Sequence, residues 1–178
     1  NTDLRNRRYS LPVLRRKYVS KSGKARKDTQ YFETVIIGSG FSGLLAAIGL
    51  QKKNSNDFVL LERGSEPGGT WRDNSYPGAE VDIPTGLYSI SYIPYKFKKK
   101  YAPQSELLEY TNYVIDKFGL RAHTRTSQTV TALTFCDDDC LWDIEVASGE
   151  KYTARFVIDA SGVLANAHHP YISGAESF

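Results

Sequence analysis

The chain has 178 residues, of which 40% are hydrophobic, 24% charged and 12% aromatic. That length and balance suit one folded domain with a real core and exclude wholesale disorder. No apolar run approaches the roughly 20 residues of a membrane-spanning helix. Two cysteines exclude a disulfide scaffold, so a reducing, cytoplasmic setting is expected.

The formal net charge of +3 is unevenly spread. Residues 1–28 hold ten Lys/Arg and two acids, a net +8, while the other 150 hold thirteen and eighteen, a net −5. Residues 1–30 therefore read as a basic, flexible arm ahead of a mildly acidic domain over 31–178. The arm also fits a weak contact with an anionic surface, or an organelle-targeting segment. Nucleic acid is not the expected partner. The chain has no methionine, not even at position 1, which points to a processed chain or a piece of a longer protein.

Val35-Ile36-Ile37, between Thr34 and Gly38, reads as a short strand buried on both faces. Residues 42–53 read as a helix that packs through Leu44, Leu45, Ile48, Ala46 and Ala47. A turn over 54–57 leads to a second buried strand over 58–61, completing a right-handed βαβ unit. Residues 64–103 are rich in Gly, Pro and Tyr and read as irregular; such a long stretch in a compact domain is usually functional. Residues 104–118 have helical periodicity, with Gly119 as the stop. Three strands are expected over 129–135, 141–146 and 152–158, with turns at Asp137-Asp138-Asp139 and Ser148-Gly149. The fold class is α/β: a Rossmann-like dinucleotide-binding domain with a small β-meander.

Gly38-Ser39-Gly40-Phe41-Ser42-Gly43 is a G-x-G-x-x-G run between the first strand and the first helix. In that context Gly38 permits the tight turn, Gly40 the close approach of a pyrophosphate, and Gly43 the packing of helix on strand. The helix N-terminus then faces the phosphates. Glu62 follows 24 residues after Gly38, at the end of the second strand. A carboxylate there accepts from both ribose hydroxyls and disfavours a 2′-phosphate, so the nucleotide is FAD or NAD rather than NADP.

Three other features read as ordinary structure. Cys136-Asp137-Asp138-Asp139-Cys140 lacks zinc-site spacing and reads as an acidic turn, so no metal is expected. His168-His169-Pro170 reads as a loop. Lys96, Lys98, Lys99 and Lys100, among Tyr95, Phe97 and Tyr101, read as a charged loop or the approach to a helix.

The run from Val35 to Glu62-Arg63 resembles the fingerprint of the glutathione-reductase-like flavoproteins. More specific segments follow. They are Gly68-Gly69-Thr70-Trp71, Tyr76-Pro77-Gly78-Ala79, Asp82-Ile83, Tyr88-Ser89-Ile90-Ser91-Tyr92, the run from Tyr101 to Leu108, and Ala160-Ser161-Gly162. Together with Pro170 and Gly174, these resemble the flavin-containing monooxygenases of the Baeyer–Villiger type, across about residues 34 to 178.

The resemblance implies that Gly38, Gly40, Ser42 and Gly43 hold the FAD pyrophosphate and Glu62 the adenosine ribose. Thr70, Trp71 and Tyr88 would line the flavin, and the Val130 backbone would meet the adenine. Asp82 would lie by the isoalloxazine and help place a catalytic arginine. NADPH would be the co-substrate, and a flavin peroxide would oxygenate a ketone or a soft nitrogen or sulfur centre with O2. The family signature F-x-G-x-x-x-H-T-x-x-W would begin at about Phe178. The NADPH domain, the catalytic arginine and the returning FAD-domain segment are therefore expected outside this chain, which reads as the N-terminal third of such an enzyme. Asp159 and Ala165 are mild departures from the family pattern, which favours an apolar residue and serine there. The alternatives are another two-domain flavoprotein oxidoreductase, an N-hydroxylating monooxygenase, or an inactive nucleotide-binding remnant with a basic arm.

Overall fold

The computed structural model describes residues 29–166, 168 and 170–177. The expected arm thus lies outside the described residues as far as position 28. The strands are β1 (Thr29–Ile37), β2 (Phe58–Leu61), β3 (Thr124–Arg125), β4 (Val130–Cys136), β5 (Leu141–Val146) and β6 (Lys151–Asp159). The helices are α1 (Phe41–Lys52), α2 (Thr70–Asp73), α3 (Thr85–Tyr88) and α4 (Gln104–Lys117). A short 3-10 turn, Leu120–His123, follows α4.

One six-stranded sheet runs in the order β3-β2-β1-β6-β5-β4. β1 lies parallel to β2 and β6, and β3 parallel to β2. β4, β5 and β6 form the expected antiparallel meander. β6 joins the two halves: residues 151–154 pair with β5 on one side and with Thr29–Phe32 on the other. Thr29 and Gln30, assigned to the arm by composition, therefore belong to β1.

The core has two faces. Ile36, Phe58 and Leu60 pack with Leu44, Ala47 and Ile48 of α1 and with Tyr110, Val114 and Ile115 of α4. Both helices bury residues at the i, i+3, i+4 spacing of one helical face. On the other face Val35, Val59 and Leu61 pack with Ile144, Val146 and Tyr152 of the meander. Covered on both sides, β1 and β2 need the continuous apolar runs their sequences supply. Full burial of each such side chain contributes roughly 1.5–3 kcal/mol.

The stretch over 64–103 holds two one-turn helices, α2 and α3, and is pinned by specific bonds. The Thr85 amide donates to the Lys100 carbonyl at 2.7 Å, and the Thr85 hydroxyl accepts from the Ala102 amide at 2.9 Å. The buried Tyr110 hydroxyl accepts from the Ile90 amide at 2.9 Å. Residues 137–140 form the turn between β4 and β5. Lys96, Lys98, Lys99 and Lys100 are exposed in the loop ahead of α4.

Candidate functional site: a glycine turn at the sheet's switch point

The chain order in the sheet reverses between β1 and β6, and ligands of such sheets bind beyond the carboxyl ends of the strands at that point. The three strand ends are tied together there. The Gly38 amide donates to the Leu61 carbonyl at 2.8 Å, and the Ala160 amide donates to the Ile37 carbonyl at 2.9 Å.

The three glycines of the turn have different jobs. Gly38 has φ +96°, and a Cβ on it would stand 2.6 Å from the Ala160 carbonyl oxygen. A Cβ on Gly43 would overlap the Gly38 carbonyl oxygen, because α1 packs directly on the end of β1. The fold itself requires both. Gly40 has φ −76°, a conformation open to any residue, and its Cβ would only touch the Gly69 Cα at 3.6 Å. The fold does not need Gly40 to be bare; a ligand pressed against the main chain does. No side chain caps α1, so the N–H groups of its first turn are available beside Gly40. This cradle fits a dinucleotide pyrophosphate.

The Gly68-Gly69 turn locks onto this loop. The Gly68 amide donates to the Ser39 carbonyl at 3.3 Å. Gly69 has φ +56° and starts α2. Thr70 is exposed and Trp71 buried. The Trp71 indole N–H donates to the Tyr88 hydroxyl at 3.1 Å, with the rings edge-to-face at 5.5 Å. Phe41, the first residue of α1, lies 5.5 Å from the Tyr88 ring. The Gln104 side-chain amide donates to the Trp71 carbonyl. Val81 joins the same apolar cluster, and Asp82, next in the chain, is exposed. Ser42 is exposed in the first turn of α1.

Glu62 stands just past β2 and is only 3% exposed. One carboxylate oxygen accepts from the Ser39 amide at 2.9 Å and the Ser39 hydroxyl at 2.6 Å. The other accepts from the Gly64 amide at 2.8 Å and the Arg72 guanidinium at 2.9 Å. Burial alone would raise the pKa of this carboxyl, yet the donors from Ser39, Gly64 and Arg72 together hold it below the ordinary carboxylate value. The Glu62 carbonyl accepts from the Gln128 amide at 2.8 Å, which draws the start of β4, with the half-buried Val130, alongside.

The sequence-predicted residues thus converge unequally. Gly38, Gly40, Ser42, Gly43, Glu62, Thr70, Trp71 and Tyr88 gather around one turn, while Asp82 and Val130 adjoin it through Val81 and Gln128. Sequence reasoning missed Ser39, Phe41, Arg72 and Gln104. Phe41 lies inside the glycine run, the one local signal that could have found it. Nothing in the sequence marked Arg72, ten residues from its partner Glu62.

A glycine turn at the switch point, an uncapped helix N-terminus and an acid ending the second strand define a Rossmann-like FAD-binding domain. The family model described as pyridine nucleotide-disulphide oxidoreductase matches residues 35–178, and the chain belongs to that family. Its relatives include Baeyer–Villiger monooxygenases and a phenazine N-monooxygenase. It is 39% identical over 150 residues to the Baeyer–Villiger monooxygenase of Streptomyces coelicolor, covering 84% of this chain and 29% of that protein. Among solved structures it resembles cyclohexanone monooxygenase from Rhodococcus sp. Phi1 bound to NADP+, at 34% identity and a TM-score of 0.78, covering 84% of this chain and 29% of that one. It also resembles OTEMO in complex with FAD and NADP, at 32% identity and a TM-score of 0.76, covering 83% of this chain and 29% of that one. The chain spans about three tenths of the length of these relatives. Among the described residues, no helix is long and apolar enough to cross a membrane.

Proposed function

We propose that this chain is the FAD-binding part of an NADPH- and O2-dependent flavoprotein monooxygenase of the Baeyer–Villiger type, acting on ketones. The observation that carries the reading is the open Cβ position of Gly40 beside an uncapped helix N-terminus, with Glu62 ending the second strand. The relatives named above support the same reaction.

In this reading the main chain of residues 38–43 and the first turn of α1 bind the pyrophosphate, with Ser42 contributing from that turn. Glu62 accepts hydrogen bonds from the adenosine ribose, and the Val130 main chain meets the adenine. Thr70, Trp71 and Tyr88 run along the flavin, and Trp71, Tyr88 and Phe41 form an apolar wall that keeps water from it. Asp82 faces the flavin from the loop after Val81 and orients a cation there. FAD, reduced by NADPH, supplies the chemistry that activates dioxygen toward a ketone carbonyl.

Retention of FAD tests the reading. The 178-residue chain is incubated with FAD and desalted, and its visible flavin absorbance is recorded. Co-elution of flavin with the chain is expected, as is ketone-dependent NADPH oxidation when the FAD-loaded protein of full relative length is given cyclohexanone. A folded chain that elutes without flavin would overturn the cofactor assignment.

A further inference from the structure

A carboxylate offers about four lone-pair sites, and Glu62 has four protein donors. Any ribose hydroxyl that donates to Glu62 must therefore replace one of them. Two of the four are main-chain amides, of Ser39 and Gly64, held by the glycine turn and the strand end. The third, the Ser39 hydroxyl, belongs to a residue with 0% exposure. The fourth, Arg72, is the side chain of the set that reaches solvent, at 16% exposure. It is also the donor with the best alternative. Its Nε and Nη2 atoms bond the Asp73 carboxylate at 2.8 Å and 2.6 Å, and Nη1 also donates to the Glu66 carbonyl.

We propose that Arg72 is a built-in competitor at the ribose end of the dinucleotide site. An adenosine ribose gains the Glu62 oxygen shared by Gly64 and Arg72 by taking the place of Arg72 Nη1, and the guanidinium stays on Asp73. This inference rests on the FAD-binding reading. Arg72 is a positioning residue: it occupies one acceptor site of Glu62 and makes ribose binding an exchange of one donor for another. Such an exchange lowers the affinity for ligands that carry ribose hydroxyls and leaves ligands without them unaffected.

The fold offers a second way to move Arg72 without altering either partner of the ion pair. A Cβ on Gly64 would overlap the Arg72 guanidinium, the far end of a flexible side chain, so Gly64→Ala pushes that group off Glu62. Gly64→Ala keeps the Arg72 charge; Arg72→Met removes it.

The test is equilibrium binding of FAD, ADP and 2′,3′-dideoxy-ADP to the 178-residue chain and to Arg72→Met and Gly64→Ala. Hydrogen bonds to charged groups, discounted for partial exposure, set the expected effect at about tenfold. Both variants are expected to bind FAD and ADP about tenfold more tightly and to bind the dideoxy nucleotide as the unaltered chain does. The preference for ADP over dideoxy-ADP therefore widens by the same factor. Unchanged or weaker binding of ADP by the variants, or equal shifts for both nucleotides, would overturn the proposal. Should circular dichroism show Arg72→Met unfolded, Gly64→Ala decides. If the unaltered chain, folded, binds neither FAD nor ADP, the FAD reading itself fails first.

Discussion

Gly40 and Gly69 meet main chain to main chain, and the contact is asymmetric. A Cβ on Gly69 would stand 2.7 Å from the Gly40 Cα, whereas a Cβ on Gly40 would stand 3.6 Å from the Gly69 Cα. The first distance is a collision and the second ordinary van der Waals contact. Gly69 also has φ +56°, which side chains rarely adopt. The second glycine turn is thus shaped by the fold, while the fold leaves room for a Cβ at Gly40.

That asymmetry separates two classes of glycine variant. Gly40→Ala is expected to melt within about 0.5 kcal/mol of the unaltered chain, because its Cβ makes only ordinary van der Waals contact and φ −76° suits any residue, and to lose FAD. Gly43→Ala is expected to lose about 3 kcal/mol or more, since its methyl has no room against Gly38. Denaturant melts with FAD titration of the Gly40 variant check both. Retention of FAD by Gly40→Ala at unchanged affinity would sink the loop assignment.

Acid should weaken the fold through Glu62. Its folded pKa is held below the ordinary carboxylate value by Ser39, Gly64 and Arg72 against the opposing effect of burial. Between the folded and unfolded values the unfolded chain holds the proton and the folded one does not, so stability rises with pH across that window. The Glu62 contribution is fully present above the unfolded value and is lost as pH falls through the lower, folded value. Glu62→Gln lacks this dependence. Denaturation series from neutral to acid pH should show the two proteins converging as the pH falls. A constant gap between them would exclude the carboxylate as the source.

His123 titrates in a higher window. Burial is the main cause of its lowered pKa, with Arg125 adding to it and the Phe58 carbonyl opposing. The imidazole stacks on Phe58 with ring centroids 4.4 Å apart. Protonation is therefore disfavoured in the folded chain. Its contribution is complete above the unfolded pKa of about 6.5 and declines as pH falls toward the lower folded value. His123→Phe keeps an aromatic ring against Phe58 and removes the titration. Thermal melts at several pH values between neutrality and the carboxylate range should show a slope in the unaltered chain that the variant lacks. Equal slopes would rule His123 out.

The parts of the fold visible in the sequence were those with local signals. Val35-Ile36-Ile37 and residues 58–61 are continuous apolar runs, and α1 and α4 carry the 3.6-residue period, so the ends of β2, α1 and α4 fall within a residue of expectation, whereas β1 matches only at its Ile37 end and starts six residues earlier. Thr29–Phe32 mixes polar and apolar residues, and its strand state depends on pairing with residues 151–154, far along the chain. α2 and α3 are single turns set by tertiary bonds such as Gln104 to Trp71 and Thr85 to Lys100, and β3 is two residues long. None of these has a periodicity to read. The site divides the same way. Gly38, Gly40, Gly43 and Glu62 were legible from spacing, and the segment around Trp71 and Tyr88 from resemblance. Ser39 and Arg72 matter through the donors they bring to Glu62 across 23 and 10 residues, which no local pattern records.

Tyr88 gives the sharpest check on the apolar wall. Its hydroxyl accepts from the indole N–H of Trp71, which is only 9% exposed. Tyr88→Phe keeps the edge-to-face ring contact and removes the acceptor, leaving a nearly buried donor unpaired. The cost is about 1–3 kcal/mol. Tyr92→Phe is the control: Tyr92 is exposed, with the Lys52 ammonium 3.3 Å over its ring centroid, a contact its phenyl ring preserves. Denaturant melts should therefore shift for Tyr88→Phe and not for Tyr92→Phe. The tryptophan emission should shift only in the first, because Trp142, the other tryptophan, lies in β5 and packs with Phe135. Equal shifts in both variants would show that the Trp71–Tyr88 bond does not hold this wall in place.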